Sequence, residues 1–239
     1  MSSDTVIIIP AYNEAAGIAK LISDIKVKAP GMDIAVVDDG SADGTAAQAA
    51  GAGAAVIRHP FNLGYGAGLQ TGFKYALSNG YSYAVQIDAD GQHEPSYIPK
   101  LLSPVKAGMA DVAVGSRFMG LGKYKTTWAR GFGMRLFGGI ASFIIGRKVT
   151  DPTSGFQALN REVIRFYASD SYPTDFPDAD VLIMLHRAGL KSIEVPVEMY
   201  QRLEGVSMHS GLKPLYYVFK MFLSIFVTLL RKNTFKKGI

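Results

Sequence analysis

Cysteine is absent from this sequence of 239 residues, and its absence excludes several kinds of chemistry at once. A chain without cysteine forms no disulfide, holds no metal through thiolates and has no thiol nucleophile. The absence is consistent with a reducing compartment. The first residues also lack the basic start and the small-residue cleavage site of a secretory signal peptide. We therefore expect the protein in the cytosol or at the cytoplasmic face of a membrane.

Acidic residues are missing from the C-terminal part of the chain, since none follows Glu204. Six lysines and arginines lie beyond that residue, so without them the net charge of +5 would be about −1. This concentration of positive charge favours contact with an anionic surface, although a solvated basic tail is the alternative. Because the basic residues are interleaved with aliphatic ones, they do not predict nucleic-acid binding.

The apolar segment LYYVFKMFLSIFVTLL, at residues 215–230, is shorter than the ~20 residues that span a bilayer, and Lys220 interrupts it. We predict that residues 211–239 form a basic, amphipathic helix at the membrane surface. A helix that packs on the domain or in a dimer is the alternative. On a helix, the polar side chains would form one narrow stripe: Lys220, Ser224, Thr228 and Lys232. A second apolar segment, residues 131–146, is equally compatible with lipid contact and with core packing.

A hydrophobic content of 48% supports a real core. Short apolar runs alternate with helical patterns, which is typical of an α/β domain with a mostly parallel sheet covered by helices. The predicted strands are residues 6–9, 34–37, 54–57, 84–87 and 112–114. The predicted helices are residues 14–28, 45–50, 66–77, 97–107 and 180–188. We predict one domain, residues 1–210, followed by the C-terminal segment.

The pattern is less regular after residue 118. Residues 151–160, DPTSGFQALN, have the character of a loop that enters a strand. Residues 192–200 alternate in the manner of a strand with one buried face. The predicted buried side chains are Ile193, Val195, Val197 and Met199.

Polar side chains follow four of the predicted strands, in the motifs PAYNE, DDGS, HPFN and DADGQ. In open parallel sheets, ligands bind beyond the carboxyl ends of the strands. Turn chemistry alone also favours Asp, Asn and Gly, but four such strand ends together indicate one site. The candidate residues are Asp38, Asp39, Asn62, Asp88 and Asp90.

Asp88 and Asp90 stand at positions i and i+2, so on an extended strand they point the same way. Gln92 would join them if the chain stays extended. Two carboxylates and an amide oxygen are hard ligands that suit Mg²⁺ or Mn²⁺, and such an ion usually keeps phosphate oxygens as further ligands. The pattern therefore predicts a nucleoside diphosphate as the guest. His93 is either another ligand or a hydrogen-bonding loop residue.

Two other interpretations fit less well. The acid and base of a glycosidase lie roughly 5–9 Å apart, usually on different elements, so adjacent carboxylates at one strand end favour ion binding. The glycine segment at residues 62–72 reads G-x-G-x-G and follows the third predicted strand, which differs from a dinucleotide-binding fingerprint.

The ordered motifs PAYNE, VVDDGSADGT, NLGYGAG, DADGQH, GSRF, DPTSGF and EVPVEMYQRLEGVS resemble those of the inverting family-2 glycosyltransferases. The resemblance runs from about Val6 to Ser207. Within that family, the chain is similar to polyprenyl-phosphate sugar synthases of the dolichyl-phosphate mannose synthase type. Tyr65 stands where many close relatives have lysine.

This resemblance implies a nucleotide-diphospho-sugar transferase fold of the GT-A type and a divalent cation. It also implies that a hexose or N-acetylhexosamine moves from a UDP- or GDP-sugar to a polyprenyl phosphate, with inversion. In the matching motifs, Pro10, Ala11, Tyr12 and Glu14 would frame the nucleoside. Asp39 would contact the base or ribose side.

By the same resemblance, the metal would be held by Asp88, Asp90 and Gln92. Arg117, in GSRF, and Arg202, in the R-x-x-G-x-S segment, would bind phosphate charges, with Ser207 beside them. Arg130 is a looser match for the same role.

The acceptor leaves two alternatives open. Relatives that act on sugar hydroxyls need a carboxylate base, and Asp180 or Asp178, in FPDAD, could serve. Acidic residues at a helix N-terminus are also favourable for the helix itself. A nucleotide-sugar-binding subunit that works only with a membrane partner is a further alternative. Partners to be expected are the donor, the lipid phosphate, the membrane surface and either a small integral-membrane protein or a second copy.

Overall fold

The computed structural model describes residues 3–120, 128–173, 177–200, 213–232 and 235. Across these residues, seven strands form one sheet in the order β3-β2-β1-β4-β6-β5-β7. All neighbouring strands are parallel except β6, which runs antiparallel to both β4 and β5. The strands are β1 (Thr5–Ala11), β2 (Asp33–Asp38), β3 (Ala55–Arg58), β4 (Tyr83–Gln86), β5 (Val112–Ser116), β6 (Gln157–Asn160) and β7 (Ser192–Pro196).

Helices cover both faces of this sheet. A short 3-10 helix, Pro95–Tyr97, leads directly into the fourth α-helix. The α-helices in the described ranges are α1 (Ile18–Lys28), α2 (Thr45–Gly51), α3 (Tyr65–Ser78), α4 (Ile98–Lys106), α5 (Trp128–Ile145), α6 (Arg161–Tyr167), α7 (Ala179–Arg187) and α8 (Lys213–Leu230).

The buried residues form two clusters, and strand β1 contributes side chains to both. Its side chains alternate between the faces of the sheet, and all seven of its residues are buried. Val6 and Ile8 belong to a buried cluster with residues of α3, α5, α6, α7 and α8, whereas Ile7 and Ile9 belong to a second cluster with residues of α1, α2 and α4. Burial on both faces is the reason that the strand reads as a continuous apolar run rather than an alternating one.

Helix α3 lies very close to β1. A methyl group added at Gly72 would stand 2.3 Å from Cγ2 of Ile8, so this glycine allows the helix backbone to approach the strand. The close approach matters for the site, because α3 begins at Tyr65, directly beyond the carboxyl end of the sheet.

The structure confirms the predicted alternation of strands and helices, with two changes. Helix α1 begins at Ile18, four positions later than expected. Before it, the backbone carbonyl of Glu14 accepts hydrogen bonds from the amides of Gly17 and Ile18 in a turn. The last strand ends at Pro196, although Val195 and Val197 are both buried in the same cluster, as the alternation predicted.

The second half holds elements that periodicity alone did not show. The segment DPTSGFQALN does enter a strand, but this strand is antiparallel and inserts between β4 and β5. Helix α6 follows it at once, and the side chain of Asn160 caps that helix by accepting a hydrogen bond from the amide of Val163. Residues 131–146 lie almost wholly within α5, with Phe137 buried and Phe143 exposed.

The C-terminal helix α8 packs on the sheet domain. Met221 and Ile225 belong to the same buried cluster as α7 residues Val181 and Leu185. Across the described ranges, no helix combines the length and the hydropathy that crossing a membrane requires. The boundary at residue 210 and the contact of α8 with a membrane remain predictions.

Candidate active site

Parallel pairing brings the ends of β1, β2, β3 and β4 to one edge of the sheet. Ala11 lies opposite Asp38, and Asp38 lies opposite Arg58. The amide of Ile87, after β4, donates to the carbonyl of Ile8 in the neighbouring strand. The motifs that follow these strands therefore meet at this edge, as the strand ends predicted.

The turn after β1 is held against the loop after β2. Pro10 and Ala11 are buried within β1, while Tyr12 is 49% exposed at the edge of the site. Asn13 has a positive φ of 55°, a conformation that asparagine adopts more readily than most residues. Its Oδ1 accepts a hydrogen bond from the amide of Ala42 at 3.0 Å. The arrangement leaves the Tyr12 side chain half exposed, and its contact with a nucleoside remains a prediction.

Two further bonds strengthen this connection. The amide of Asn13 donates to Oγ of Ser41 at 2.9 Å, and the amide of Glu14 donates to Oγ1 of Thr45 at 2.9 Å. Asn13, Ser41 and Thr45 were not among the predicted site residues. The sequence could have indicated them, because Asn in PAYNE and Ser and Thr in DDGSADGT are residue types whose side chains hydrogen-bond to the backbone of turns.

Asp39 is buried and holds the glycine loop in place. Its Oδ1 lies 2.7 Å from Nδ1 of His59 and accepts from the amide of Leu63, while Oδ2 accepts from the amide of Gly64. The carboxylate thus fixes the chain just before α3. Its contact with a base or ribose remains a prediction. Asp38, fully buried beside it, forms an ion pair with Nε of Arg58 at 3.1 Å.

An open depression lies next to these carboxylates. It is lined by Gly40, Ser41, Arg58, His59 and Pro60. It lies at the ends of β2 and β3, where the open parallel sheet would bind a ligand.

Both oxygens of Asp88 receive hydrogen bonds from the protein. The Tyr65 hydroxyl donates to Oδ1 at 2.7 Å, and Nε2 of His93 lies 2.9 Å from Oδ2. The Tyr65 hydroxyl in turn accepts from Nε2 of Gln86 at 3.2 Å. The His93 ring packs edge-on against Phe156, with ring centroids 5.0 Å apart. His93 is therefore a hydrogen-bonding loop residue here, the second of its two expected roles.

The pKa values in this group follow from its surroundings. Burial acts to raise the pKa of Asp88, but the hydrogen bonds and charge of His93, the Tyr65 hydroxyl and the charge of Arg117 outweigh it and lower that pKa. Burial, together with the neighbouring Asp88, raises the pKa of Tyr65 well above its usual value. At neutral pH the carboxylate is therefore ionised and the phenol is protonated.

Asp90 lies on a turn, and neither Asp90 nor Gln92 belongs to a strand, which corrects the extended geometry that we expected. Strand β4 ends at Gln86, and Gly91 has a φ of +73°. The amide of Gln92 donates to Oδ1 of Asp90 at 3.1 Å. In the described part of the chain, no three acidic or histidine side chains cluster as metal ligands.

The segment after β7 lies along this turn. The amide of Tyr200 donates to the carbonyl of Gln92 at 2.8 Å, and His93 forms an antiparallel bridge with Met199. The Tyr200 hydroxyl also donates to Glu94. The chain is thereby brought past the site just before Arg202. Arg202 and Ser207 themselves lie outside the described residues, as does the side chain of Arg130.

Arg117 is 6% exposed and forms a two-pronged ion pair with Asp151. Its Nε and Nη2 donate to the two carboxylate oxygens at 2.7 and 2.6 Å, and Nη2 also donates to Thr153. Asp151 was not among the predicted site residues, although it opens the DPTSGF motif. The backbone amide of Asp151 donates to the carboxylate of Glu194 at 2.8 Å, so a residue of β7 helps to hold Asp151 in place.

The two carboxylates considered as bases differ in position. Asp180 is fully buried, and its Oδ1 accepts from the amides of Asp178 and Val181 at 3.0 and 2.9 Å. Its Oδ2 accepts a short hydrogen bond from the hydroxyl of Ser224 in α8. Burial raises the pKa of Asp180. Asp178 is the N-cap residue of α7, yet within the described residues its side chain does not accept a capping hydrogen bond.

Comparisons with known proteins agree with this architecture. Residues 6–167 match the Glycosyl transferase family 2 model. A polyprenol monophosphomannose synthase from Mycolicibacterium smegmatis is 35% identical, with 87% of this chain and 81% of the relative aligned. An undecaprenyl-phosphate mannosyltransferase from Micrococcus luteus is 31% identical, with 85% and 86% aligned.

A solved structure shows the same fold. It is glucosyl-3-phosphoglycerate synthase from Mycobacterium tuberculosis in complex with Mn²⁺ and uridine-diphosphate-glucose, which superposes with a TM-score of 0.69 at 19% identity and covers 96% of this chain and 80% of its own. The fold is therefore of the GT-A type, and the chain belongs to glycosyltransferase family 2. It is a glycosyltransferase.

Proposed function

We propose that this glycosyltransferase moves a hexose or N-acetylhexosamine from a UDP- or GDP-sugar to a polyprenyl phosphate, with inversion and with a divalent cation. The relatives named for polyprenol and undecaprenyl-phosphate mannose transfer support the acceptor. Each is aligned over more than four-fifths of its length.

The observation that carries this proposal is the position of Asp180. A hydroxyl acceptor needs a base that can reach it, but this carboxylate is fully buried and bonded to Ser224 of α8. A lipid phosphate needs no strong base, because its second pKa is about 6 and it is largely an anion at neutral pH. The burial of Asp180 removes one of the two candidate bases, Asp180 and Asp178, and in this way favours a phosphate acceptor over a sugar hydroxyl.

The donor set at Asp88, Asp90 and Gln92 fits Mg²⁺ or Mn²⁺. Asp88 has a lowered pKa and a side chain that is 25% exposed, so an ionised oxygen ligand is accessible at the site. Two carboxylates and an amide leave coordination positions for donor phosphates, which is the usual arrangement for these ions. A bound ion would stabilise the charge that builds on the leaving nucleoside diphosphate. The Mn²⁺ and uridine-diphosphate-glucose complex of the solved neighbour is consistent with this assignment.

The other predicted site residues would bind the nucleotide-sugar donor and supply positive charge. Tyr12 would cover the nucleoside at the end of β1, together with Pro10, Ala11 and Glu14. Arg117, held rigidly by Asp151, would place positive charge near the phosphates, and Arg202 and Ser207 would complete this role from the following segment. A fixed cation stabilises developing negative charge without reorganising during the reaction.

We place the protein at the cytoplasmic face of a membrane, and the exposed surface of helix α8 supports its contact with lipid. One side of the helix is buried through Met221 and Ile225, while a second, apolar side is open. Arg231 and Lys232 follow at its end and are exposed, which suits anionic headgroups. The open side chains are Phe219, Phe222, Leu223, Phe226, Val227, Leu229 and Leu230.

The test is to incubate the purified protein with a short polyprenyl phosphate, Mg²⁺ or Mn²⁺ and a panel of nucleotide sugars, and to follow lipid-phosphate-sugar by mass spectrometry. We expect a product from one donor that disappears in Asp90→Ala and persists in Asp180→Asn. Asp170→Asn, at a fully exposed carboxylate, is the matched control. Turnover on a glycan hydroxyl that Asp180→Asn abolishes would overturn the phosphate acceptor. Donor binding with no product from any donor would instead indicate a missing membrane partner.

A further inference from the structure

We propose that Tyr65 is a positioning residue of the metal site: its hydroxyl holds Asp88 in the orientation in which that carboxylate binds the cation. This inference rests on the proposed metal dependence. Tyr65 would not touch the ion or the sugar, since it acts through the oxygen of Asp88 that it contacts at 2.7 Å.

The direction of the hydrogen bond is set by Gln86. Its amide nitrogen donates to the Tyr65 oxygen at 3.2 Å, so the phenol proton points to Asp88. A phenol is a neutral donor, and it leaves the negative charge of the carboxylate available to a cation. Tyr65 therefore orients Asp88 without competing for its charge, as partners of metal-binding carboxylates commonly do.

The surroundings hold Tyr65 and Asp88 together. A methyl group added at Gly155 would stand 2.8 Å from the Tyr65 hydroxyl and 2.9 Å from Oδ2 of Asp88. The missing side chain at Gly155 is thus what leaves space for this contact. His93 closes the other side, where it lies 2.9 Å from Asp88 and packs on Phe156.

The position of Tyr65 also connects two motifs. Tyr65 is the first residue of α3, and the amide of Gly64 before it donates to Asp39 at 2.9 Å. The path Asp39, Gly64, Tyr65 and Asp88 therefore runs from the DDGS motif to the DADGQ motif. Through it, the end of β2 positions a carboxylate that follows β4.

The experiment compares the full chain with Tyr65→Phe, which keeps the ring and removes the hydroxyl. Mn²⁺ alone is titrated, and the free ion is measured by electron paramagnetic resonance. We expect Tyr65→Phe to weaken Mn²⁺ binding by about 10-fold or more, the usual effect of losing a partner of a metal ligand. Tyr75→Phe is the matched control, because Tyr75 lies on the same helix with its ring against Tyr81. It should bind Mn²⁺ as the unchanged protein does.

Turnover provides a second readout that a merely structural role would not produce. Lost activity of Tyr65→Phe should return when Mn²⁺ is raised by about the same factor as the affinity has fallen. If Tyr65→Phe does not fold, Gly155→Ala displaces the same two groups and should weaken Mn²⁺ binding likewise. Unchanged Mn²⁺ affinity in a folded Tyr65→Phe protein overturns the inference alone. Absence of Mn²⁺ binding by the unchanged protein overturns the proposed metal site as well.

Discussion

The hydroxyl of Ser224 donates a hydrogen bond to the buried carboxylate of Asp180, across 44 positions of sequence. This contact joins the C-terminal helix α8 to α7 inside the same core. Asp180 has further donors in the amides of Asp178 and Val181, so its burial is supported on both oxygens. A helix proposed to lie on the membrane is thereby attached directly to the catalytic domain.

Removing this hydroxyl should destabilise the protein. Ser224→Ala leaves Oδ2 of a buried carboxylate without this donor, and we expect a loss of about 1–3 kcal/mol in the free energy of unfolding. Urea denaturation followed by circular dichroism measures it. Ser103→Ala, on the exposed side of α4, is the control and should change stability by less than about 0.5 kcal/mol. Equal midpoints for the two variants would show that the Ser224 contact contributes nothing.

Asp180 should also leave a signature in the pH dependence of stability. Burial raises the pKa of Asp180 in the folded state above its ordinary value of 3.8, so between these two pKa values the folded state holds a proton that the unfolded state has lost. The contribution of this group to stability therefore falls as pH rises from about 4 through the folded pKa. In Asp180→Asn this fall should be missing when urea midpoints are compared across that range. A constant difference between the two proteins at every pH would contradict the raised pKa.

Asp39 should be needed for the glycine loop. Asp39→Ala removes the acceptor for the amides of Leu63 and Gly64 and the partner of His59, and we expect a loss of about 3 kcal/mol. Donor binding should weaken too, because the start of α3 is no longer held. Asp170→Ala, at a fully exposed carboxylate, should be close to neutral. Normal stability of Asp39→Ala would mean that the loop is held by other contacts.

The ion pair of Arg117 and Asp151 should be far more sensitive than a surface pair. Asp151→Ala leaves a guanidinium that is 6% exposed without its carboxylate, which typically costs about 3–5 kcal/mol. Lys106→Met breaks the exposed pair with Asp4 and should cost no more than about 1 kcal/mol. Thermal unfolding of both variants gives the comparison. Similar shifts in the two would contradict the importance assigned to burial.

The open face of α8 should control membrane binding. Phe226 is 59% exposed, and Phe226→Glu replaces an apolar side chain with a charge that anionic lipid repels. We expect at least about a tenfold loss of binding to vesicles containing phosphatidylserine, since burying a phenylalanine contributes roughly 1.5–3 kcal/mol. Val27→Glu, 77% exposed on α1 and on the other face of the sheet, should bind as before. Equal loss in both variants would point to charge alone.

Much of the fold could be predicted because its signals are local. The runs at residues 6–9 and 34–37, which lie within β1 and β2, are wholly apolar. The helical segments show periodic burial, as in Ile18, Leu21, Ile22 and Ile25 of α1. Strand β6 could not be placed in this way. A four-residue strand carries no sign of its neighbours, and its antiparallel insertion between β4 and β5 depends on pairing along both edges.

The candidate site was also predictable only in part. The motifs at the strand ends indicated Asp88, Asp90 and Asp39 from sequence alone, because parallel strands bring their carboxyl ends to one edge. The turn at Gly91 was not anticipated, since the common direction of Asp88 and Asp90 was derived from strand geometry and that of Gln92 from an extended chain. Asp151 was missed for a different reason, as its partner Arg117 lies 34 positions away.

The sequence by itself determined the alternating elements, the family and the edge of the sheet where the chemistry is expected, because each depends on short motifs and local periodicity. Only the tertiary structure decided which side chains meet. The hydroxyl of Tyr65 reaches Asp88 across 23 positions, and that of Ser224 reaches Asp180 across 44. Such contacts depend on how helices pack on the two faces of the sheet, and hydrophobic burial drives that packing without specifying polar partners in advance.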